Sequence, residues 1–218
     1  SQVTILRYGE TSEPNLLEEG HALVLYPVDL LAELSIVDTP GTNAVIRQHE
    51  ALTTHFIPRA DLVLFVTSAD RPFTESERTF MAQIRDWGKK VVLIVNKIDL
   101  LQDAAETQQV LDFVQENAHN LLGSTPQIFP VSARLALRAK NGEPQYWQAS
   151  GFEALEEYIL KHLDQAEQVK LKFLNPLGVS AHITSRYYER SENQRRILEE
   201  DIRLLQNVER QQAVYKED

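Results

Sequence analysis

Hydrophobic residues along the chain alternate between short β-branched runs and longer stretches with helical spacing. Two of the short runs, residues 62–66 and 91–95, are apolar on both faces. Such runs are typical of strands at the centre of a parallel sheet that helices cover on each side. The other runs that we predict as strands are residues 3–6, 22–26, 35–37 and 128–131.

Capping residues mark where helices begin between these strands. Thr74 and Ser150 each precede a glutamate by three positions, the pattern of a capping box. We predict helices from Thr74 to near residue 87, from about residue 104 to 122, and from Ser150 to about residue 163. Strands that alternate with helices indicate an α/β fold with three layers and a mostly parallel sheet.

The last part of the chain has a different pattern. Residues 181–216 contain no glycine or proline, and Leu198, Ile202, Leu205 and Val208 recur near one face at helical spacing. The pattern predicts one long amphipathic helix. Its basic and acidic side chains nearly cancel, which favours a partner helix over a basic membrane-surface helix. The alternative is a helix that folds back onto its own domain.

Composition excludes several classes of protein. The 218 residues are 43% apolar and 25% charged, as in ordinary globular proteins, and there is no cysteine for disulfides, thiolate zinc sites or cysteine nucleophiles. The six histidines show no metal-ligand spacing. A formal net charge of −10 argues against a general nucleic-acid binder, so we expect no nucleic-acid partner.

A phosphate-binding turn is the first candidate for chemistry. Asp38-Thr39-Pro40-Gly41 follows the strand predicted at residues 35–37. An aspartate at the carboxyl end of such a strand can hold Mg²⁺ directly or through water. Gly41 lets its backbone N–H approach a terminal phosphate because it has no Cβ. The alternative is an ordinary turn, since Asp, Pro and Gly are common turn residues.

A base-binding loop is the second candidate. Asn96-Lys97-Ile98-Asp99 follows the strand predicted at residues 91–95. Asp99 can accept two hydrogen bonds from guanine N1–H and the 2-amino group, which adenine lacks. The Lys97 stem can lie along the base plane, and Asn96 can tie the loop to neighbouring segments. A polar loop after a buried strand is the alternative.

A third loop completes the set. Ser132 and Ala133 follow the strand predicted at residues 128–131, and a small residue there lets a backbone N–H reach guanine O6. Arg134 either stacks at the base edge or is a surface arginine, and the second is favoured. We expect all three loops at strand ends of one sheet, in the order that a guanine-nucleotide site requires.

In this order, the three loops resemble conserved boxes three to five of the P-loop GTPases. Within this class, the sequence resembles the dynamin-like proteins, and in particular the branch of FZO-like and bacterial dynamin-like proteins. The resemblance extends from Val3 to about Leu177. The segments that carry it are residues 36–43, 58–62, 68–77 and 130–134. The resemblance implies GTP and GDP as ligands, with Asp38, Thr39 and Gly41 near Mg²⁺ and the γ-phosphate.

The resemblance also implies partners and a location. We expect a homo-oligomer through the GTPase domain and a helical bundle, of which residues 178–218 would be a segment. Membrane remodelling would use elements outside this chain. The expected location is cytoplasmic and peripheral to a membrane, in a bacterium or, alternatively, a chloroplast.

The sequence departs from the P-loop GTPases in one respect. No G-x-x-x-x-G-K-[ST] motif occurs, and the Gly88-Lys89 pair lacks the upstream glycine and the following hydroxyl. We therefore expect residues 1–177 to be a partial GTPase domain without its first strand, phosphate loop and first switch. The catalytic residues would lie upstream of Ser1, and the segment alone would be inactive.

Two other functions remain open at this stage. A translation- or ribosome-associated GTPase shares the same boxes, although the acidic balance and the helix at residues 181–216 count against it. If Ser1 is the true beginning, the chain is a scaffold that has lost nucleotide binding.

Overall fold

The computed structural model describes residues 3–10, 14–16, 21–39, 55–162 and 165–217. They form two compact units, Ser1–Asn175 and Pro176–Asp218. The strands of the described residues all belong to the first unit. They are β1 (Thr4–Tyr8), β2 (Pro14–Leu16), β3 (Ala22–Tyr26), β4 (Ile36–Asp38), β5 (Val63–Ser68), β6 (Val91–Asn96) and β7 (Gln127–Pro130).

Helices follow most of these strands. They are α1 (Leu30–Glu33), α2 (Glu75–Asp86), α3 (Ala104–Leu122), α4 (Ala133–Lys140), α5 (Trp147–Ser150), α6 (Phe152–His162) and α7 (Gln165–Glu217). Short 3₁₀ turns lie at Ile57–Arg59, Ile98–Leu100 and Pro144–Tyr146. The mixed α/β class with a parallel sheet and a long C-terminal helix, which the sequence predicts, is confirmed.

The strands form two sheets. One has the order β2-β3-β1-β4, in which β1 and β3 are parallel while β2 and β4 run antiparallel to their neighbours. The other has the order β5-β6-β7 and is parallel throughout. The expectation that Asp38 shares one sheet with the other loops is therefore wrong. The reason is that β4 and β5 each pair on one side only, and no described strand bridges them.

The parallel sheet carries the core of the first unit. Leu93 and Val95 of β6 lie in a cluster with Met81 of α2 and Val114 of α3. Val92 and Ile94, on the opposite face, lie in a second cluster with Leu155 of α6. Strand β6 is thus the buried central strand that its apolar run predicts, with helices on both faces.

Strand β5 is covered on one face only. Phe65 and Thr67 are buried, whereas Leu64 and Val66 are 40% and 56% exposed. The sequence predicts a central strand here, because the run is apolar on both faces. In the structure β5 is an edge strand, and none of the described residues buries its second face. Strand β4, at the edge of the other sheet, likewise exposes apolar side chains, with Ile36 at 42% exposed.

Two helices begin and end close to where the sequence predicts them. Helix α2 begins after Thr74, whose capping box with Glu77 is formed. Helix α3 begins after Asp103, whose carboxylate accepts from the Glu106 N–H, and it ends at Gly123. Strand β2 and the short helices α1, α4 and α5 were not predicted, because three to eight residues carry too little periodicity.

The long helix α7 starts earlier than predicted. It begins at Gln165 rather than near residue 181 and includes Pro176, although proline usually ends or kinks a helix. Its apolar residues Leu198, Ile202, Leu205 and Val208 are all half-exposed or more. Among the described residues, no helix is both long and apolar enough to cross a membrane.

Candidate functional site

The carboxyl ends of β5, β6 and β7 meet at one edge of the parallel sheet. Ser68 is paired with Asn96, and Val95 with Pro130. The ladder continues past the strand ends, because the Ala69 N–H donates to the Asn96 carbonyl at 2.8 Å. The loops that follow these three strands therefore begin side by side.

Asn96 ties two of these loops together. Its Oδ1 accepts from the Lys97 N–H at 2.8 Å and from the Ala133 N–H at 3.0 Å. Lys97 has a left-handed backbone, with φ of +68°, and turns the chain into the 3₁₀ segment Ile98–Leu100. The tying role that the sequence suggests for Asn96 is thus visible as two hydrogen bonds to one oxygen.

We expect Asn96→Ala to weaken guanine-nucleotide binding by the full-length protein about thirtyfold, because two loop contacts would be lost at roughly 1 kcal/mol each. Binding of a fluorescent GDP analogue measures the change. Asn96→Asp is the matched control, since both hydrogen bonds use an acceptor oxygen that aspartate keeps. Equal losses in the two variants would contradict this role for Oδ1.

Asp99 lies in the loop after β6 and contacts the loop after β7. Its side chain is 8% exposed and its Oδ2 is 2.5 Å from Nη2 of Arg134. The other carboxylate oxygen, Oδ1, accepts from the Ser132 hydroxyl. Both oxygens of a nearly buried carboxylate are therefore engaged, as burial of a charged group requires.

Ser132 is fully buried and connects Asp99 to the segment that precedes α6. Its N–H donates to the Ser150 carbonyl at 2.8 Å. Its Oγ also accepts from the Leu135 N–H at 3.2 Å, so the same hydroxyl caps α4. Ser132 is held in place from three sides, which positions its hydroxyl against Asp99.

Behind Ser132, the turn at Gly151 supports the end of β7. Gly151 has φ of +68°, and a Cβ on it would lie 2.3 Å from the Pro130 carbonyl oxygen. The Ser150 hydroxyl donates to the Trp147 carbonyl at 2.6 Å and accepts from the Phe152 N–H at 3.2 Å. Ser150 was recognised in the sequence as the start of a helix, but the contact of this turn with β7 could not be predicted from the sequence.

Lys97 and Asp70 form an ion pair that the sequence did not reveal. Nζ of Lys97 lies 3.5 Å from Oδ1 of Asp70, and both side chains are about half exposed. The hydroxyl of Ser68 donates to the same oxygen, and this hydrogen bond holds the pKa of the Asp70 carboxyl below its ordinary value. Because the pair is solvent-exposed, it orients the Lys97 side chain more than it stabilises the fold.

The predicted phosphate-binding turn is only partly described. Asp38 ends β4, opposite Thr4 of β1, and its side chain is exposed. Thr39 follows it directly, and Gly41 lies outside the described residues. Across the residues that are described, no three His, Asp or Glu side chains are placed to hold a metal ion. The structure thus brings Asn96, Asp99, Ser132 and Ala133 together, but Asp38 stands on the other sheet.

Lys89, of the Gly88-Lys89 pair, lies at the opposite end of β6. It is buried, and its Nζ donates to the Pro58 carbonyl at 2.7 Å. Burial lowers the pKa of its ammonium group. This lysine therefore has a structural contact and is remote from the edge where the loops meet.

Sequence comparison relates the chain to dynamins. Residues 6–99 match the sequence model of the Dynamin family. The probable transmembrane GTPase FZO-like, chloroplastic, of Arabidopsis thaliana is 35% identical over 210 residues, which cover 85% of this chain and 23% of that protein. Dynamin-like protein A of Bacillus subtilis is 29% identical over 144 residues, or 64% of this chain and 11% of that protein.

A comparison of folds finds a solved structure with a similar fold. A solved structure of an oligomerised bacterial dynamin pair, described as a mechanism for long-range sensing and tethering of membranes, matches with a TM-score of 0.65 at 18% identity. The match covers 100% of this chain and 42% of the solved one. The chain spans less than a quarter of the length of each of the two curated relatives named above. By its sequence matches, the chain belongs to the dynamin-like GTPases.

Proposed function

We propose that this chain is part of a GTPase that binds GTP and GDP through Asn96, Lys97, Asp99, Ser132 and Ala133 and hydrolyses GTP to GDP and phosphate. The observation that carries the proposal is the nearly buried Asp99 carboxylate at the edge of the parallel sheet, in contact with Ser132. A carboxylate held there is suited to the two-donor edge of guanine.

The selectivity follows from hydrogen-bond chemistry. Guanine offers N1–H and a 2-amino group to Asp99, whereas adenine has no such pair of donors for the carboxylate. A site built in this way rejects the wrong base by roughly 5 kcal/mol. Lys97 would lie along the base plane with its ammonium group held by Asp70. The Ala133 N–H donates to Asn96 Oδ1, so guanine O6 would share or replace that acceptor.

The phosphate side of the site would use Asp38, Thr39 and Gly41. Asp38 ends a strand and is exposed, and Mg²⁺ in phosphate sites keeps several waters and takes one or two carboxylates, so a single aspartate fits this ion. Bound Mg²⁺ would neutralise charge on the phosphates. A phosphate loop from outside this chain would complete the site, and the edge strands β4 and β5 offer a place for its strand.

At the level of the whole protein, we propose a homo-oligomer that remodels membranes by fusion or fission. The GTPase unit, residues 1–177, and a helical segment, residues 178–218, would both contribute to assembly. The exposed apolar residues of α7 support contact with partner helices. Membrane contact would be made outside this chain, at the cytoplasmic side of a bacterial membrane or, alternatively, in a chloroplast, in keeping with the names of the relatives.

Nucleotide binding by the full-length protein tests this function. We expect fluorescent GDP and GTP analogues to bind at least about a thousandfold more tightly than the matching adenine nucleotides, as expected for a site that hydrogen-bonds one base edge. Phosphate release from GTP in the presence of Mg²⁺ measures hydrolysis. Comparable affinity for ATP would contradict the base assignment, and guanine binding without phosphate release would leave a binding protein rather than an enzyme.

A further inference from the structure

Arg134 lies on the Asp99 oxygen that Ser132 does not use. Ser132 donates to Oδ1, and Nη2 of Arg134 is 2.5 Å from Oδ2. The arginine side chain is 65% exposed, whereas that of Asp99 is 8% exposed. One partner of the carboxylate is thus fixed inside the protein, and the other reaches it from the surface. We propose that Arg134 is a displaceable substitute for guanine, which neutralises Asp99 in the empty site and leaves when the base binds.

The two groups have the same chemistry at their contacting edges. A guanidinium group is planar and presents several N–H donors in a fixed fork that matches a carboxylate. The guanine edge of N1–H and the 2-amino group is also a planar pair of donors. Both need the in-plane lone pairs of the Asp99 oxygens, so the guanidinium at 2.5 Å stands where the base edge would stand.

The position of Arg134 on α4 supports a specific role. It lies in the first turn of the helix, where a positive charge is unfavourable because of the helix dipole, and that turn, all of it described, contains no acidic residue to offset the charge. Arg138 of the same helix is placed differently. It lies in the last turn, pairs with Glu143 at 2.5 Å and stacks over the Tyr146 ring at 4.1 Å. The contact with Asp99 offsets the unfavourable position of the Arg134 charge at the N-terminal end of α4.

The consequence concerns affinity and rate, and it rests on the proposed function of the same site. An empty site without Arg134 would leave a nearly buried carboxylate with a single partner, which is costly. With Arg134 present, the base must first break the ion pair. Arg134 therefore stabilises the empty site and weakens guanine binding by the same interaction, so removing it tightens binding.

The test compares Arg134→Ala and Arg134→Gln with Arg138→Ala in the full-length protein. We expect both Arg134 variants to bind a fluorescent GDP analogue about three- to tenfold more tightly, with faster association, as removal of one partly exposed ion pair allows. The gain should shrink at high salt, since screening weakens the pair in the unmodified protein. Arg138→Ala, which removes the other α4 arginine, should bind as the unmodified protein does.

Each outcome decides the question. Weaker binding in the Arg134 variants would mean that the arginine contacts the bound base, and unchanged binding would mean an ordinary surface residue; either overturns the proposal. The thermal midpoint gives an independent check, because Arg134→Gln should lower it without nucleotide but not at saturating GDP. If the unmodified protein shows no preference for GDP over ADP, the proposed function fails instead.

Discussion

Asp99→Asn in the full-length protein is expected to lower GDP affinity by about two to three orders of magnitude. The asparagine amide would direct one N–H donor at the donor edge of guanine, so one hydrogen bond is lost and a buried donor is left unpaired. The amide oxygen can still accept from Ser132, so the loop stays in place. Titration of a fluorescent GDP analogue measures the loss.

The same substitution predicts a gain for a different base. Xanthine carries a carbonyl where guanine has its 2-amino group, so the new amide donor would have an acceptor, and affinity for xanthosine diphosphate should rise. Asp112→Asn is the matched control, because Asp112 is a surface residue of α3 that accepts from Gln108 at 2.8 Å. A loss of GDP affinity in both variants, or in neither, would refute the role of Asp99.

Gly151→Ala is expected to destabilise the protein by about 3 kcal/mol or more, the largest stability effect that we predict for the addition of one carbon atom. The new Cβ would lie 2.3 Å from the Pro130 carbonyl oxygen, and backbone atoms on both sides would have to move. A left-handed φ adds about 1 kcal/mol for any residue with a side chain. For a unit of this size, the thermal midpoint should fall by about 6–12 °C.

Gly123→Ala separates the clash from the backbone strain. Gly123 has φ of +70°, almost the same as Gly151, but no atom of the described residues lies within 4 Å of the place that an added Cβ would take. The substitution should therefore cost only about 1 kcal/mol, the strain of the left-handed conformation. Equal shifts in thermal midpoint for the two variants would show that contact with Pro130 does not matter.

Gly151 also connects stability to the site. Its neighbour Ser150 holds the Ser132 N–H at 2.8 Å, so movement of this turn would shift the hydroxyl that donates to Asp99. Folded Gly151→Ala protein should therefore bind GDP more weakly than Gly123→Ala protein does. The turn between α5 and α6 therefore supports both the end of β7 and the loop that follows it.

Local sequence predicted the elements whose causes are local. Strand β3 has the predicted bounds and β6 differs by one residue, because their apolar runs have sharp ends. Helix α2 begins after Thr74, whose capping box the sequence shows, and α3 has the predicted bounds of residues 104 and 122. The loops after β6 and β7 could also be paired from sequence, because the carboxyl ends of parallel strands meet at one edge of a sheet.

Long-range contacts could not be predicted in the same way. The sequence favoured a surface role for Arg134, but whether a side chain at that position meets Asp99 depends on how α4 packs against the loop after β6. The ion pair of Lys97 and Asp70 could not be predicted either, since these residues are far apart in the chain and share no motif. Burial and partners of a charge are properties of packed elements, not of neighbours in the chain.

The amino-acid sequence by itself determined the α/β class, the central strand β6, the capped helices and the family resemblance, because periodicity, caps and motifs act over a few residues. Only the tertiary structure decided that Asp38 stands on a separate sheet, that β5 is an edge, and that Arg134 covers Asp99. Those outcomes depend on which strands pair and which faces meet across the whole unit, and hydrophobic patterns alone do not specify either.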